Sequence, residues 1–197
     1  RADVRSIWVG MRPLVKPQDD DGENTKKISR EHTVMTSKSG LVTVTGGKWT
    51  TYRAMAEDVL KECFERHLLP ARAGGVTVHM PLVGAPKPEQ VKHRMNAAQG
   101  EHIYGTEAAA VHSLPGADKM LTEGLSEAMV RFAARYEYAR TVEDVLARRS
   151  RLLFLDARMA AIVAPRVAEI LAQELPGVDV KLPEFLVLAQ QYLLTPV

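Results

Sequence analysis

The chain has 197 residues, 26 Lys and Arg against 24 Asp and Glu, a formal net charge of +2, 46% hydrophobic residues and one cysteine. This suits one sizeable core or two small ones, and the balanced charge gives no footprint for nucleic acid, so no nucleic-acid partner is expected. Cys63 has no second cysteine with which to form a disulfide or a CxxC site, and no apolar run approaches the ~18 residues of a membrane span. The expectation is a soluble domain of a reducing compartment.

The opening, RADVRSIWVG, lacks a signal-peptide layout. It does not begin with Met and enters an alternating stretch at once, Ile7 to Met11, so the chain is expected to be a piece of a longer protein. Ile7–Val9 reads as a strand. Pro17 to Lys27 reads as a polar loop. Its Asp19-Asp20-Asp21-Gly22 fails as a calcium loop, because that spacing puts Pro17 and Ile28 at the first and last ligand positions. Glu31–Ser37 and Leu41–Thr45 alternate around Ser39–Gly40 and predict a hairpin. After Gly46–Gly47, Met55, Val59, Leu60, Cys63 and Phe64 fall at helical spacing, which ends near His67 and places Cys63 in the core.

Pro70, Gly74, Gly75, Pro81, Gly84, Pro86 and Pro88 mark a connecting segment, with a short strand expected over Thr77–Met80. Beyond it the pattern is helical, with helices expected at 89–99, 106–113, 125–137, 141–149, 157–174 and 183–193. Ser126 and Asp156 are expected caps, and Thr141 with Asp144 resembles a capping box. Ala160, Val163, Val167, Ile170 and Leu171 form an apolar stripe, on a helix that Pro165 is expected to bend. The fold class is therefore mainly α: a helical C-terminal domain over 88–197, a connection over 71–87, and a small α+β portion over 1–70.

The segment with most chemical content is Thr45-Gly46-Gly47-Lys48-Trp49-Thr50-Thr51-Tyr52-Arg53. A strand runs through paired glycines into a helix start, where unpaired backbone N–H groups and the helix dipole favour an electron-rich ligand atom. The same residues also suit an ordinary tight turn capped by Thr50. A Walker A loop is excluded, because Val42 stands where its first glycine belongs and Trp49 where its Ser or Thr belongs. No G-x-G-x-x-G and no HExxH is present, and no metal site is expected. Arg12 and Arg30 suit phosphate or carboxylate, though such arginines are more often solvated. Arg148, Arg149 and Arg151, followed by Leu152 to Leu155, read either as a basic patch or as arginines paired at a helix end.

Several of these segments together resemble one family. Val9-Gly10-Met11-Arg12-Pro13-Leu14, Ser29-Arg30-Glu31-His32, the Thr45–Arg53 run with Met55-Ala56-Glu57, and Tyr138 through Asp156 are similar to the C-terminal portion of FAD-dependent, quinone-linked glycerol-3-phosphate dehydrogenases. The resemblance spans nearly the whole chain. It implies a parent that oxidises sn-glycerol 3-phosphate to dihydroxyacetone phosphate, with hydride passing from substrate C2 to flavin N5 and electrons going on to membrane quinone. It implies that residues 1–70 end a glutathione-reductase-like FAD and substrate-cap region.

By the same resemblance Gly46, Gly47, Lys48, Trp49, Thr50 and Thr51 face the flavin ring, and Arg12, Arg30 and Lys48 contact substrate. Lys48 is the candidate catalytic residue. For Trp49 only the backbone role carries over, because an aliphatic residue is equally expected there. The FAD phosphate loop, the acidic adenosine-binding residue and the basic histidine of the family have no counterpart in these residues, so the 197 residues alone are expected to be inactive. The implied location is cytoplasmic, peripheral on the inner face of the cytoplasmic membrane, and the resemblance leaves a homodimer open. A competing reading of another class takes the arginine-rich helices at 131–158 as a module for a partner protein, nucleic acid or membrane surface.

Overall fold

The structure is a computed structural model that describes residues 3–11, 31–72, 74–93 and 97–193. It forms two compact units, one of Gly10–Pro81 and one of Arg1–Val9 with Leu82–Val197.

In the Gly10–Pro81 unit, β1 (His32–Thr36) pairs antiparallel with β2 (Val42–Gly46), and the register sets His32 opposite Gly46 and Thr36 opposite Val42. Gly40 closes the turn at φ 85°, its N–H donating to the Ser37 carbonyl at 3.0 Å. A single 3-10 turn, Trp49–Thr51, leads into α1 (Tyr52–Glu65). The period-two pattern of β1 turns His32, Val34 and Thr36 to its half-buried face. There the Thr36 hydroxyl donates to Glu62 of α1 at 2.8 Å. No α1 residue is fully buried, so Cys63 is half-buried rather than in a core. Thr77–His79 form a turn and not the expected strand, with His79 N–H closing onto the Val76 carbonyl at 3.2 Å. Thr77 instead donates to Glu57 of α1 at 3.0 Å.

The other unit holds the core. Of the helix expected over 89–99, the described residues form a single 3-10 turn, Pro88–Gln90, after which Val91 is extended. The Gln90 side chain accepts the Lys87 N–H at 2.9 Å and satisfies the start of the turn locally. A second 3-10 stretch, Glu101–Glu107, is broken at Gly105 (φ 56°) before α2 (Ala108–His112). Met120–Thr122 (β3) and Leu125–Ser126 (β4) form an antiparallel hairpin, so the helix expected from 125 begins two residues later as α3 (Glu127–Tyr136). Gly124 turns this hairpin at φ 77°, and a Cβ there would meet the Gln99 carbonyl oxygen at 2.6 Å. Asp144–Arg149 wind as a π-helical turn, in which the Ser150 N–H and hydroxyl both donate to the Val145 carbonyl, at 2.9 and 3.0 Å. Then come α4 (Leu152–Leu155), α5 (Ala157–Glu174) and α6 (Leu182–Leu193).

The three expected caps form. Ser126 accepts from Met129 N–H at 3.3 Å, Asp156 accepts from Met159 N–H at 2.9 Å, and Thr141 and Asp144 bond reciprocally at 3.0 and 3.1 Å. The stripe of Ala160, Val163, Val167, Ile170 and Leu171 is buried against α3, α4 and α6, with Phe185 and Ala189 closing from α6. Complete burial of a side chain such as Ile170 contributes about 1.5–3 kcal/mol. The helix runs on through the exposed Pro165.

Residues 3–9 lie against these helices. The Ser6 hydroxyl donates to the Leu153 carbonyl at 2.9 Å and accepts the first N–H of α5, from Ala157, at 2.8 Å. Ile7 N–H donates to the Tyr192 carbonyl at 2.8 Å, and the Trp8 ring meets Phe154 edge-on at 5.2 Å. The expected strand over Ile7–Val9 is thus an extended segment docked on helices, because no strand edge lies beside it among the described residues.

Candidate functional site

The glycine turn is built by the hairpin unit alone. Gly46 ends β2 at φ 77° and Gly47 repeats φ 77°, a left-handed backbone that favours glycine. At Gly47 the space is also closed: a Cβ would stand 2.6 Å from Met55 Sδ and 3.0 Å from His32 Cβ. Lys48 is extended at φ −135°, ψ 150° and begins the 3-10 turn. Thr51 donates to the Lys48 carbonyl through both its N–H and its hydroxyl, each at 3.0 Å. Thr50 does not cap: neither the 3-10 turn nor α1 has a side-chain cap. Among the described residues the leading N–H groups of Trp49 and Thr50 therefore take no side-chain acceptor, and the helix start offers them to an electron-rich atom.

Around that start the side chains are solvent-facing. Lys48, Thr50 and Thr51 are exposed, and Trp49 is 88% exposed with its ring 5.9 Å from that of Tyr52. Among the described residues Lys48 has no ion-pair partner, which leaves its ammonium available to an anion. Arg12 and Arg30 lie outside the described residues. The site thus gathers Gly46, Gly47, Lys48, Trp49, Thr50 and Thr51 in one continuous turn. It also contains a pair that sequence reasoning missed, His32 Nε2 to Asp58 Oδ2 at 2.7 Å. Residues 26 apart carry no local signal; only the register of His32 opposite Gly46 would have indicated it.

The arginines of 131–158 are largely consumed inside the helical unit. Arg131 and Arg135 both donate to Glu174, at 2.7 and 2.6 Å. Arg140 donates to the carbonyls of Ala134 and Ala139 at 3.1 Å each. Arg148 bonds Glu143 and Asp144, at 2.5 and 3.0 Å, and Arg149 lies 3.7 Å from Asp144. Burial alone would raise the Asp144 carboxyl, but hydrogen bonds from the Arg140 and Thr141 backbones outweigh it, so the group sits below its ordinary value. These contacts fit the paired-arginine reading better than a free basic patch.

A depression of about 310 Å³ lined by Ile103, Tyr104, Glu137, Arg148 and Arg149 lies in the same unit. Burial raises the Glu137 carboxyl above its usual range against the pull of Arg149, and burial likewise raises the Tyr104 phenol. Among the described residues no cluster of three His, Cys, Asp or Glu side chains has metal-binding geometry, and no helix is long and apolar enough to cross a membrane.

With this geometry in view, comparison with known proteins is informative. The family described as the C-terminal domain of alpha-glycerophosphate oxidase matches residues 75–178. The chain is similar to the probable mitochondrial glycerol-3-phosphate dehydrogenase of Dictyostelium discoideum, 35% identical over 219 residues covering 99% of this chain and 34% of that protein. It is 37% identical over 203 residues to the mitochondrial glycerol-3-phosphate dehydrogenase of Arabidopsis thaliana, covering 88% of this chain and 32% of that protein. The Bos taurus mitochondrial enzyme of the same name is 36% identical over 214 residues, covering 98% of this chain and 29% of that protein. The chain spans about a third of the length of these relatives. No solved structure matches. The helical unit carries most of the family match and the glycine turn falls within the longer alignments: this chain belongs to the family defined by the C-terminal domain of alpha-glycerophosphate oxidase.

Proposed function

We propose that these residues are the C-terminal part of an FAD-dependent glycerol-3-phosphate dehydrogenase that delivers electrons to quinone. The observation that carries this reading is the uncapped helix start behind Gly46–Gly47, in a chain aligned over 99% of its length with a protein named for glycerol 3-phosphate. FAD, when bound, supplies the two-electron acceptor for oxidation of the substrate alcohol. The residues fit that group. Two left-handed glycines bring backbone close to a flat ring edge, and the N–H groups of Trp49 and Thr50 suit an electron-rich oxygen on it. Lys48 reaches from the same turn toward substrate or the ring edge. Arg12 and Arg30 supply guanidinium groups for the substrate phosphate, whose dianion they match in charge and fork geometry.

In this proposal residues 1–70 close the FAD and cap region, 71–87 connect, and 88–197 form the helical domain; residues 3–9 also supply packing to that domain. A peripheral position on the inner face of the cytoplasmic membrane and a homodimer remain part of the proposal. The relatives named above are mitochondrial. The test is the visible absorption spectrum of the complete protein that contains these residues. A bound-flavin spectrum that bleaches with glycerol 3-phosphate is expected. A protein with no bound flavin, or one whose flavin is untouched by that substrate, overturns the proposal.

A further inference from the structure

In the helical unit Glu127, Asp144 and Glu174 each meet an arginine. Glu137 is placed differently. It follows the last residue of α3, where the helix dipole opposes a carboxylate, and among the described residues its buried Oε2 has no hydrogen-bond partner. The Arg149 guanidinium beside it donates to the Glu137 backbone carbonyl. Ile103 and Tyr104 of the Glu101–Glu107 stretch, with Arg148 and Arg149 of the π-helical turn, line the depression of about 310 Å³ that this carboxyl shares. The Tyr104 ring meets Phe132 of α3 edge-on at 5.1 Å, so the stretch docks on α3 close to the unpartnered oxygen. Gly105, left-handed at φ 56°, breaks the stretch directly after Tyr104.

We infer that Glu137 is a proton-operated latch: with its carboxyl neutral, Glu101–Tyr104 lie closed on the end of α3, and with it charged they swing open at Gly105. A neutral carboxyl tolerates a buried oxygen without a partner far better than a carboxylate does, and opening returns the charge to water. Burial raises the Glu137 carboxyl in the closed form; Arg149 pulls it down and Glu107 pushes it up again. In the open form it takes its ordinary value of about 4.3. The closed form is therefore fully favoured below that value and loses ground as pH rises through the raised one. The loss is up to about tenfold for each pH unit between them. The groups that face Glu137 are Tyr104 and Glu107 from the stretch and Arg148 and Arg149 from the π-helical turn. Burial pushes the Tyr104 phenol up, so it keeps its proton. The stretch has one further titratable contact, Glu101 with His112 of α2 at 3.1 Å. The latch lies wholly within the helical unit and does not depend on what the glycine turn binds.

The experiment is hydrogen exchange at pH 4 and pH 7 in the complete protein that contains these residues, corrected for the pH dependence of the chemical step. In wild type the opening constant of residues 101–104 is expected to rise several-fold between the two, by up to about tenfold for each pH unit that the carboxyl is raised. Residues 157–174 of α5, which the latch does not touch, should show no such rise. Glu137→Gln keeps the shape without the charge and is expected to hold the low opening constant at both pH values. Wild type that opens equally at both, a rise shared equally by α5, or a Glu137→Gln protein that opens as wild type does overturns the inference. A rise that His112→Gln abolishes belongs to the Glu101 contact and overturns it too. If Glu137→Gln does not fold, Glu107→Gln decides, because it removes the like charge that helps to raise the carboxyl. A smaller rise then supports the latch, and an unchanged one overturns it.

Discussion

At the residue scale the glycine turn separates chemistry from support. Lys48 is exposed, unpaired among the described residues and placed by an extended backbone, so its side chain contributes little to folding. Lys48→Ala in the complete protein is expected to lower turnover by about tenfold or more, the loss of one charge-assisted contact of 1.5–3 kcal/mol. Thermal unfolding should move by less than about half a kcal/mol, as for an ordinary surface substitution. Parallel loss of turnover and stability would make Lys48 structural. The turn was legible in the sequence because two adjacent glycines between a β-branched run and a helical one require a backbone that few other residues adopt. What lay beneath it was not. The His32–Asp58 and Met55 contacts join residues that the hairpin and helix bring together only after folding.

At the element scale, periodicity and caps carried most of the reading. The stripe of α5, the start of α6 and the caps at Ser126, Thr141 and Asp156 depend on neighbours three or four residues away, which a sequence displays directly. The elements that differ are decided by pairing across distance. The β3–β4 hairpin takes two residues from the front of α3, and among the described residues of 89–99 only the Pro88–Gln90 turn forms before Val91 goes extended. Nor does a sequence reveal that one acid will gather two arginines. Glu174 at the end of α5 accepts from Arg131 and Arg135 of α3, and the Arg131 and Glu174 side chains are 12% and 9% exposed.

That network makes the α3–α5 contact pH-dependent. The Arg135 hydrogen bond, with that of Arg131, holds the Glu174 carboxyl below its ordinary value. Its folded form therefore binds its proton less readily than the unfolded chain does. The resulting stability is present above the unfolded glutamate value of about 4.3 and is lost as pH falls through the lower folded value. Glu137 works with the opposite sign, because burial raises its carboxyl: its contribution is present at low pH and fades as pH rises through that raised value. Glu174→Gln is expected to cost about 2–4 kcal/mol at pH 7, since Arg131 is left as a nearly buried unpaired charge. The variant should also lose part of its acid sensitivity. Urea midpoints at pH 7 and pH 3.5 check both points, and an unchanged pH dependence would remove Glu174 from the account.

At the scale of the whole molecule, the helical unit is assembled from two separated stretches. Ser6 supplies an acceptor for the leading N–H of α5, and the Arg5 guanidinium reaches Asp156 at 3.0 Å. Ser6→Ala is expected to cost about 1 kcal/mol, the value of a lost helix-start acceptor. Hydrogen exchange should show it as faster exchange at the start of α5, with protection across β1 and β2 unchanged. Equal loss in both units would mean that the substitution acts globally. The family match over 75–178 covers the interior of this helical unit and leaves the docked segment outside it. A comparison based on that match alone therefore omits a side chain that completes one of its helices.

The docking of residues 3–9 also has a consequence for the order of folding. Arg5 and Asp156 are 151 positions apart in the chain, so their contact closes a loop that contains the entire hairpin unit. Such non-local contacts carry a closure entropy and form late. During synthesis the segment bearing Ser6 and Trp8 emerges among the first residues described here, and its partners on α4, α5 and α6 emerge last. While the residues between them are translated, the Trp8 ring has no Phe154 to cover it, whereas the hairpin unit in between already has all of its own residues. Within these 197 residues, those that leave the ribosome first are thus among the last to find their place.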